Sequence, residues 1–130
     1  MKKLLTLLIL AFTLNGCAMI KEKIPSFWDD NQSYAIINVR LEVDKLDCSK
    51  EQLPQGKKIQ EQIRWFELYS ESKGWQQADV LRLVQPMKES VDDFVKRAEE
   101  KQGSAAYCEI KKKLLQTQAS TAAKAVLGRF

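Results

Sequence analysis

The sequence contains no histidine, and it has only three cysteines, three prolines and five glycines among 130 residues. Without histidine, neither a Cys-His nucleophile pair nor an ordinary Cys/His zinc site can be assembled, so a metal role and nucleophilic catalysis both lose their usual chemistry. The glycines, at 16, 56, 74, 103 and 128, are too scattered to cradle a phosphate. An excess of one charge is missing too. The chain carries 21 basic and 17 acidic side chains, a balance too even for a nucleic-acid binder. Beyond the first residues, no apolar run approaches the roughly 20 residues needed to span a bilayer. The Ala-rich tail is interrupted by Gln118, Ser120, Thr121 and Lys124.

What is present is concentrated at the N-terminus. Lys2 and Lys3 form a positive n-region, and Leu4 to Leu14 form an apolar h-region broken only by two threonines. That pattern is a signal peptide, too short for a membrane-spanning helix. It ends in Leu14-Asn15-Gly16-Cys17, which resembles the lipobox of bacterial lipoproteins: Leu at minus three, a small residue at minus one, and the obligatory Cys. Asn15 departs from the Ala, Ser or Thr more usual there. The resemblance implies removal of residues 1–16 and lipidation of Cys17. Because each buried methylene contributes about 0.8 kcal/mol, two or three acyl chains hold a protein on a bilayer almost permanently. Ala18, not being a retention residue, implies transfer to the outer membrane, on its inner, periplasmic face.

Removing residues 1–16 leaves 114, enough for one core but not for two domains. The expected organisation is a lipidated tether over 17–28 and one helical domain over 29–130. From Ala18 to Trp28 the tether could span at most about 36 Å. The two remaining cysteines, Cys48 and Cys108, form an even pair in the oxidising compartment that export implies, and are most simply a disulfide. The loop it closes, of about 60 residues, corresponds to about 4 kcal/mol in the chain-entropy model.

Along the domain, Asp29, Asp30, Asn31 and Ser33 supply helix-start chemistry. Val39, Leu41 and Val43 alternate with charged residues as in a strand, but Ile36, Val39, Val43 and Leu46 also fall at helical spacing, widened by Ile37 and Leu41. No second strand-like segment exists to pair with this one, so 33–47 is expected to be a helix. Residues 49–56, with Pro54 and Gly56, read as a connection. A second helix over 57–73 should bury Ile59, Ile63 and Phe66, with Trp65 or Tyr69 beside them. Gly74 would cap it, and Trp75 would pack back on its last turn. The third helix carries the regular seam Val80, Val84, Met87, Val91, Phe94 and Ala98. Pro86 inside it predicts a bend near 78–82 or a break at Gln85. Ser104 should cap a fourth helix running to Leu127, with a stripe of Tyr107, Ile110, Leu114, Gln118, Ala122, Ala125 and Val126. The fold class expected is all-α: a three- or four-helix antiparallel bundle behind an N-terminal lipid-anchored tether, closed by one disulfide.

Candidate chemistry is sparse on this scaffold. Asp92 and Asp93, like Glu99 and Glu100, are adjacent on a helix and point to different sides, as solvated faces do. Ser70, Ser72 and Lys73 lack the Gly-rich turn that a Ser-Lys pair would need for an oxyanion. No catalytic residue and no cofactor is expected. Two surfaces are candidates for partner contact. Trp65, Phe66, Tyr69 and Trp75 are too many aromatics for one narrow core stripe, and with Arg64 they have the composition of an interface. Lys111, Lys112 and Lys113 stand in a C-terminal stretch, 96–130, holding 8 basic and 3 acidic residues, suited to anionic headgroups or an acidic protein face. The small-residue tail equally suits pairing with a second copy of the chain.

Three function classes fit. The first is a non-enzymatic periplasmic adaptor for an envelope protein. The second resembles phage-encoded outer-membrane lipoproteins, either the outer subunit of a spanin lysis complex or a superinfection-exclusion factor, although outer spanin subunits are usually richer in proline. The third is an inhibitor of an envelope enzyme.

Overall fold

The computed structural model describes residues 28–128. The expected signal peptide, the lipobox-like segment with Cys17, residues 18–27 of the expected tether and the terminal Arg129 and Phe130 lie outside the described residues. Among the described residues are four α-helices and no strand: α1 (Asp30–Asp44), α2 (Gln52–Ser72), α3 (Ala78–Glu100) and α4 (Ala105–Leu127), with a 3-10 turn at Trp75–Gln77 before α3. Helix α1 packs on α2 and α4, and α3 packs on the same two. The short connections make successive helices antiparallel. The result is a four-cornered all-α bundle, with α1 diagonal to α3 and α2 diagonal to α4.

Each helix forms where local chemistry and an apolar stripe agree. Asp29 caps α1, its carboxylate accepting the Gln32 backbone N–H at 2.9 Å. Ile36, Val39, Val43 and Leu46 are all buried, as their spacing predicts, and the strand alternative is discarded. Ile37 and Leu41 do not widen that face but are exposed on the outside of the bundle. Ser104 caps α4 by accepting the Tyr107 N–H at 3.1 Å. Gly74 takes φ 91° after α2, a conformation that side-chain-bearing residues rarely adopt.

Three expectations are corrected. Helix α2 begins at Gln52 rather than 57, absorbing residues 52–56 of the expected 49–56 connection. Pro54 sits in its first turn, where a backbone N–H needs no partner. Gly56 is buried against α3: a Cβ there would lie 3.0 Å from both Phe94 Cδ1 and Val95 Cγ2, so its small size serves close helix approach. The break at Gln85, one of the two outcomes expected at Pro86, does not occur, and helix α3 runs through the proline. One lost hydrogen bond is outweighed by Val84 and Met87, which are buried on either side of it. The stripe on α4 is rotated. Cys108, Leu115, Ala119, Ala122, Ala123 and Val126 are buried, while Ile110 is 68% exposed and Leu114 is exposed as well.

The main core runs the length of the bundle, from Val126, Val80 and Ala35 through Phe66, Ile63, Met87 and Leu115 to Ile59, Val91 and Val95. A smaller cluster of Leu46, Phe94 and Cys108, flanked by Cys48 and Tyr107, closes one end. There Cys48, in the α1–α2 connection, is bonded to Cys108 of α4, with Cα atoms 5.6 Å apart.

Candidate functional site

Helix α2 carries two different surfaces. Toward α1, Trp65 stacks on Tyr69 one turn later, ring centroids 5.3 Å apart and planes 3° from parallel. The Tyr69 hydroxyl accepts Asn31 Nδ2 at 2.9 Å and donates to Asp29 Oδ2 at 3.2 Å, and Lys73 Nζ pairs with the same carboxylate at 2.9 Å. Burial works against ionisation of Asp29, but the Gln32 N–H, Lys73 and Tyr69 together hold its carboxyl below the usual range. Tyr69 is therefore half-buried and occupied in structure, whereas Trp65 is 48% exposed. Trp75 opens the 3-10 turn beyond α2 and is 46% exposed.

Exposed large apolar side chains occur on all four helices, five of them on α1 and α2. Tyr34, Ile37 and Leu41 form one outward stripe on α1, and Trp65 and Leu68 are exposed on α2 beside it. Periodicity marked Ile37 and Leu41 as core. They were misassigned because a helix with apolar residues on both faces does not say which face turns inward.

Toward α3, Arg64 departs from the aromatics and lines a groove of about 520 Å³ with Gln60, Ile63, Glu67, Val91 and Asp92. Asp92 is satisfied there, accepting Gln60 Nε2 at 2.7 Å and Lys88 Nζ at 2.9 Å. Glu67 is not. It retains 8% of its surface, Oε2 makes no hydrogen bond, and Arg64 Nη1 stands 3.8 Å away. Burial pushes this carboxyl above its ordinary range, against the pull of Lys88 and Arg64. Glu67 was missed in the sequence, although the signal existed: it lies four residues after Ile63 and three before Ser70, on an otherwise inward-facing arc.

The three lysines of α4 are not one patch. Lys111 Nζ reaches Asp93 Oδ2 of α3 at 2.7 Å, beside Arg97, which holds the other carboxylate oxygen at 3.2 Å. Lys112 Nζ donates to the Leu46 carbonyl at 2.6 Å, tying α4 to the end of α1. Lys113 alone of the three is exposed, in a shallow polar depression with Arg40, Asp44 and Lys124. Because α2 and α4 occupy opposite corners, the aromatic and basic candidates do not meet on one surface.

Among the described residues no group of three cysteine, aspartate or glutamate side chains converges to hold a metal ion, and no helix is long and apolar enough to cross a membrane. Comparison of the chain with protein-family models, curated proteins and solved structures returns no match.

Proposed function

We propose that this protein is a non-enzymatic adaptor, lipid-anchored through Cys17 to the periplasmic face of a bacterial outer membrane, which holds an envelope protein against the outward face of α1 and α2. The lipobox-like Leu14-Asn15-Gly16-Cys17 supports the anchor. The observation that carries the binding role is the exposure of Tyr34, Ile37, Leu41, Trp65 and Leu68 on two neighbouring helices, although the interior is already filled by other side chains. Large aromatic and aliphatic groups left in water on neighbouring helices are the kind of side chain that anchors a protein interface.

The test is site-specific photocrosslinking in intact cells, with the reactive group placed at Leu41 or Trp65 and, as a control, at Glu109 of α4. One adduct obtained from both α1/α2 positions and not from Glu109 supports the adaptor. The same adducts from all three positions, or none from any, count against it. A Cys17→Ser chain should leave the membrane fraction. If it stays there, the lipid anchor is wrong.

A further inference from the structure

We propose that the polar face between α1 and α4 rests on anionic lipid headgroups, drawn there by Arg40, Lys113 and Lys124. The three cations line one depression of about 570 Å³, in which Asp44 is the sole carboxylate. Asp44 also accepts Gln116 Nε2 at 3.0 Å. Among the described residues none of the three cations is ion-paired, whereas many elsewhere are: Lys57 with Glu99 and Lys58 with Glu42 at 3.0 Å, Lys73 with Asp29 and Lys88 with Asp92 at 2.9 Å. All three are exposed and keep their hydration, so what they present is a field rather than a set of unmet hydrogen bonds. A charged surface responds to that field without stripping the water away. Each Lys or Arg close to an anionic bilayer favours the bound state about fivefold, and the attraction fades over a screening length of about 8 Å at physiological salt.

Two features favour a lipid surface over an acidic protein. No large apolar side chain lines the depression, so the aromatic and aliphatic anchors on which protein interfaces depend are missing from it. The second feature is place. Helix α1 is the element that follows the expected tether, and 11 residues of chain span at most about 36 Å, so an anchor at Cys17 keeps this face close to the bilayer. A weak attraction then suffices, because tethering makes the encounter intramolecular. The proposal rests on that anchor for proximity. It does not rest on the adaptor role and uses none of the residues assigned to it.

The experiment is sedimentation of residues 17–130, carrying Cys17→Ser so that no lipid holds the chain, with vesicles of phosphatidylcholine alone or with about 30% phosphatidylglycerol. The described core draws only on residues 35–127, so this chain keeps the bundle. Binding to the anionic vesicles only, lost in about 0.5 M salt, is expected. Lys113→Gln combined with Lys124→Gln should weaken it by at least about tenfold. Lys96→Gln combined with Lys101→Gln removes the same charge from exposed positions on α3 and at its end, and should weaken it less than about twofold. All four lysines are exposed, so an unchanged melting temperature separates lost binding from lost folding. Retention of the parent in the membrane fraction of cells, against its Cys17→Ser variant, reads the anchor independently of this face. The proposal is overturned if the chain binds neither vesicle, if it binds neutral vesicles as well as anionic ones, or if the two pairs of substitutions weaken binding alike. It is also overturned if inorganic phosphate at about 10 mM displaces the chain at constant ionic strength, the mark of a discrete phosphate site.

Discussion

At one end of the bundle Cys48 is joined to Cys108 beside Phe94 and Leu46. At the other, the buried amide of Gln32 donates to Ser70 Oγ at 2.9 Å and Gln77 Oε1 at 2.8 Å, linking α1, α2 and the 3-10 turn. Both ends tie the start or end of α1 to elements distant in sequence, but by different physics. The disulfide acts chiefly on the unfolded chain, whose freedom it reduces, and is tolerant of the surrounding packing. The Gln32 network acts on the folded state and depends on every partner, because a buried amide that loses one acceptor keeps its desolvation cost. The difference teaches that the cysteine end confers stability, whereas the glutamine end confers register: only one axial placement of α1 against α2 brings Gln32 to Ser70.

The largest expected effect comes from removing the covalent end. Replacing both Cys48 and Cys108 by Ser should lower unfolding free energy by about 4 kcal/mol in urea titrations. A loss of less than about 1 kcal/mol would mean that the apolar cluster around Phe94 alone closes this end.

Next is Gln32→Leu, which removes the donor but keeps the bulk. It should cost about 2 kcal/mol by leaving buried acceptors on Ser70 and Gln77 without that donor. The double variant with Ser70→Ala should recover part of the loss, and strict additivity of the two would show that they do not share a network.

The smallest effect is on pH dependence. Asp47, at the disulfide end, is held down to about 2 by the Ser49 hydroxyl, the Ser49 N–H and Lys50. Asp29 at the other end is lowered as well. A depressed carboxyl stabilises the fold above its unfolded value of about 3.8 and loses that contribution as pH falls through the folded one. Acid titrations of Asp47→Asn and Asp29→Asn should therefore be flatter than that of the parent below about pH 4. An unchanged acid limb for Asp29→Asn would show that its contacts with Lys73 and Tyr69 contribute nothing in solution.

Much of the fold was legible because strong local signals coincided. The seam of α3 repeats so regularly from Val80 to Phe94 that all five of its residues to that point are buried. Asp29 and Ser104 are caps because a short side-chain oxygen before an apolar period has few other uses. Helix α4 was harder. Its stripe of small residues gives little amphipathic contrast, so the period was visible but its rotation was not. The bonded Cys108 turns Leu115 and Ala119 inward and Ile110 out.

The sequence by itself determined an all-α fold, the caps of α1 and α4, the pairing of its two domain cysteines and the core stripe of α3, because each depends on neighbours within a few residues or on elimination. Tertiary structure alone decided which of several apolar faces turned inward on α1 and α4, and that Lys111 and Lys112 reach Asp93 and the Leu46 carbonyl of their own chain. It also placed Arg64 and Glu67 together over the α2–α3 groove, apart from the aromatics. Those outcomes depend on which helix occupies the adjoining corner of the bundle, and no local pattern along a single helix contains that information.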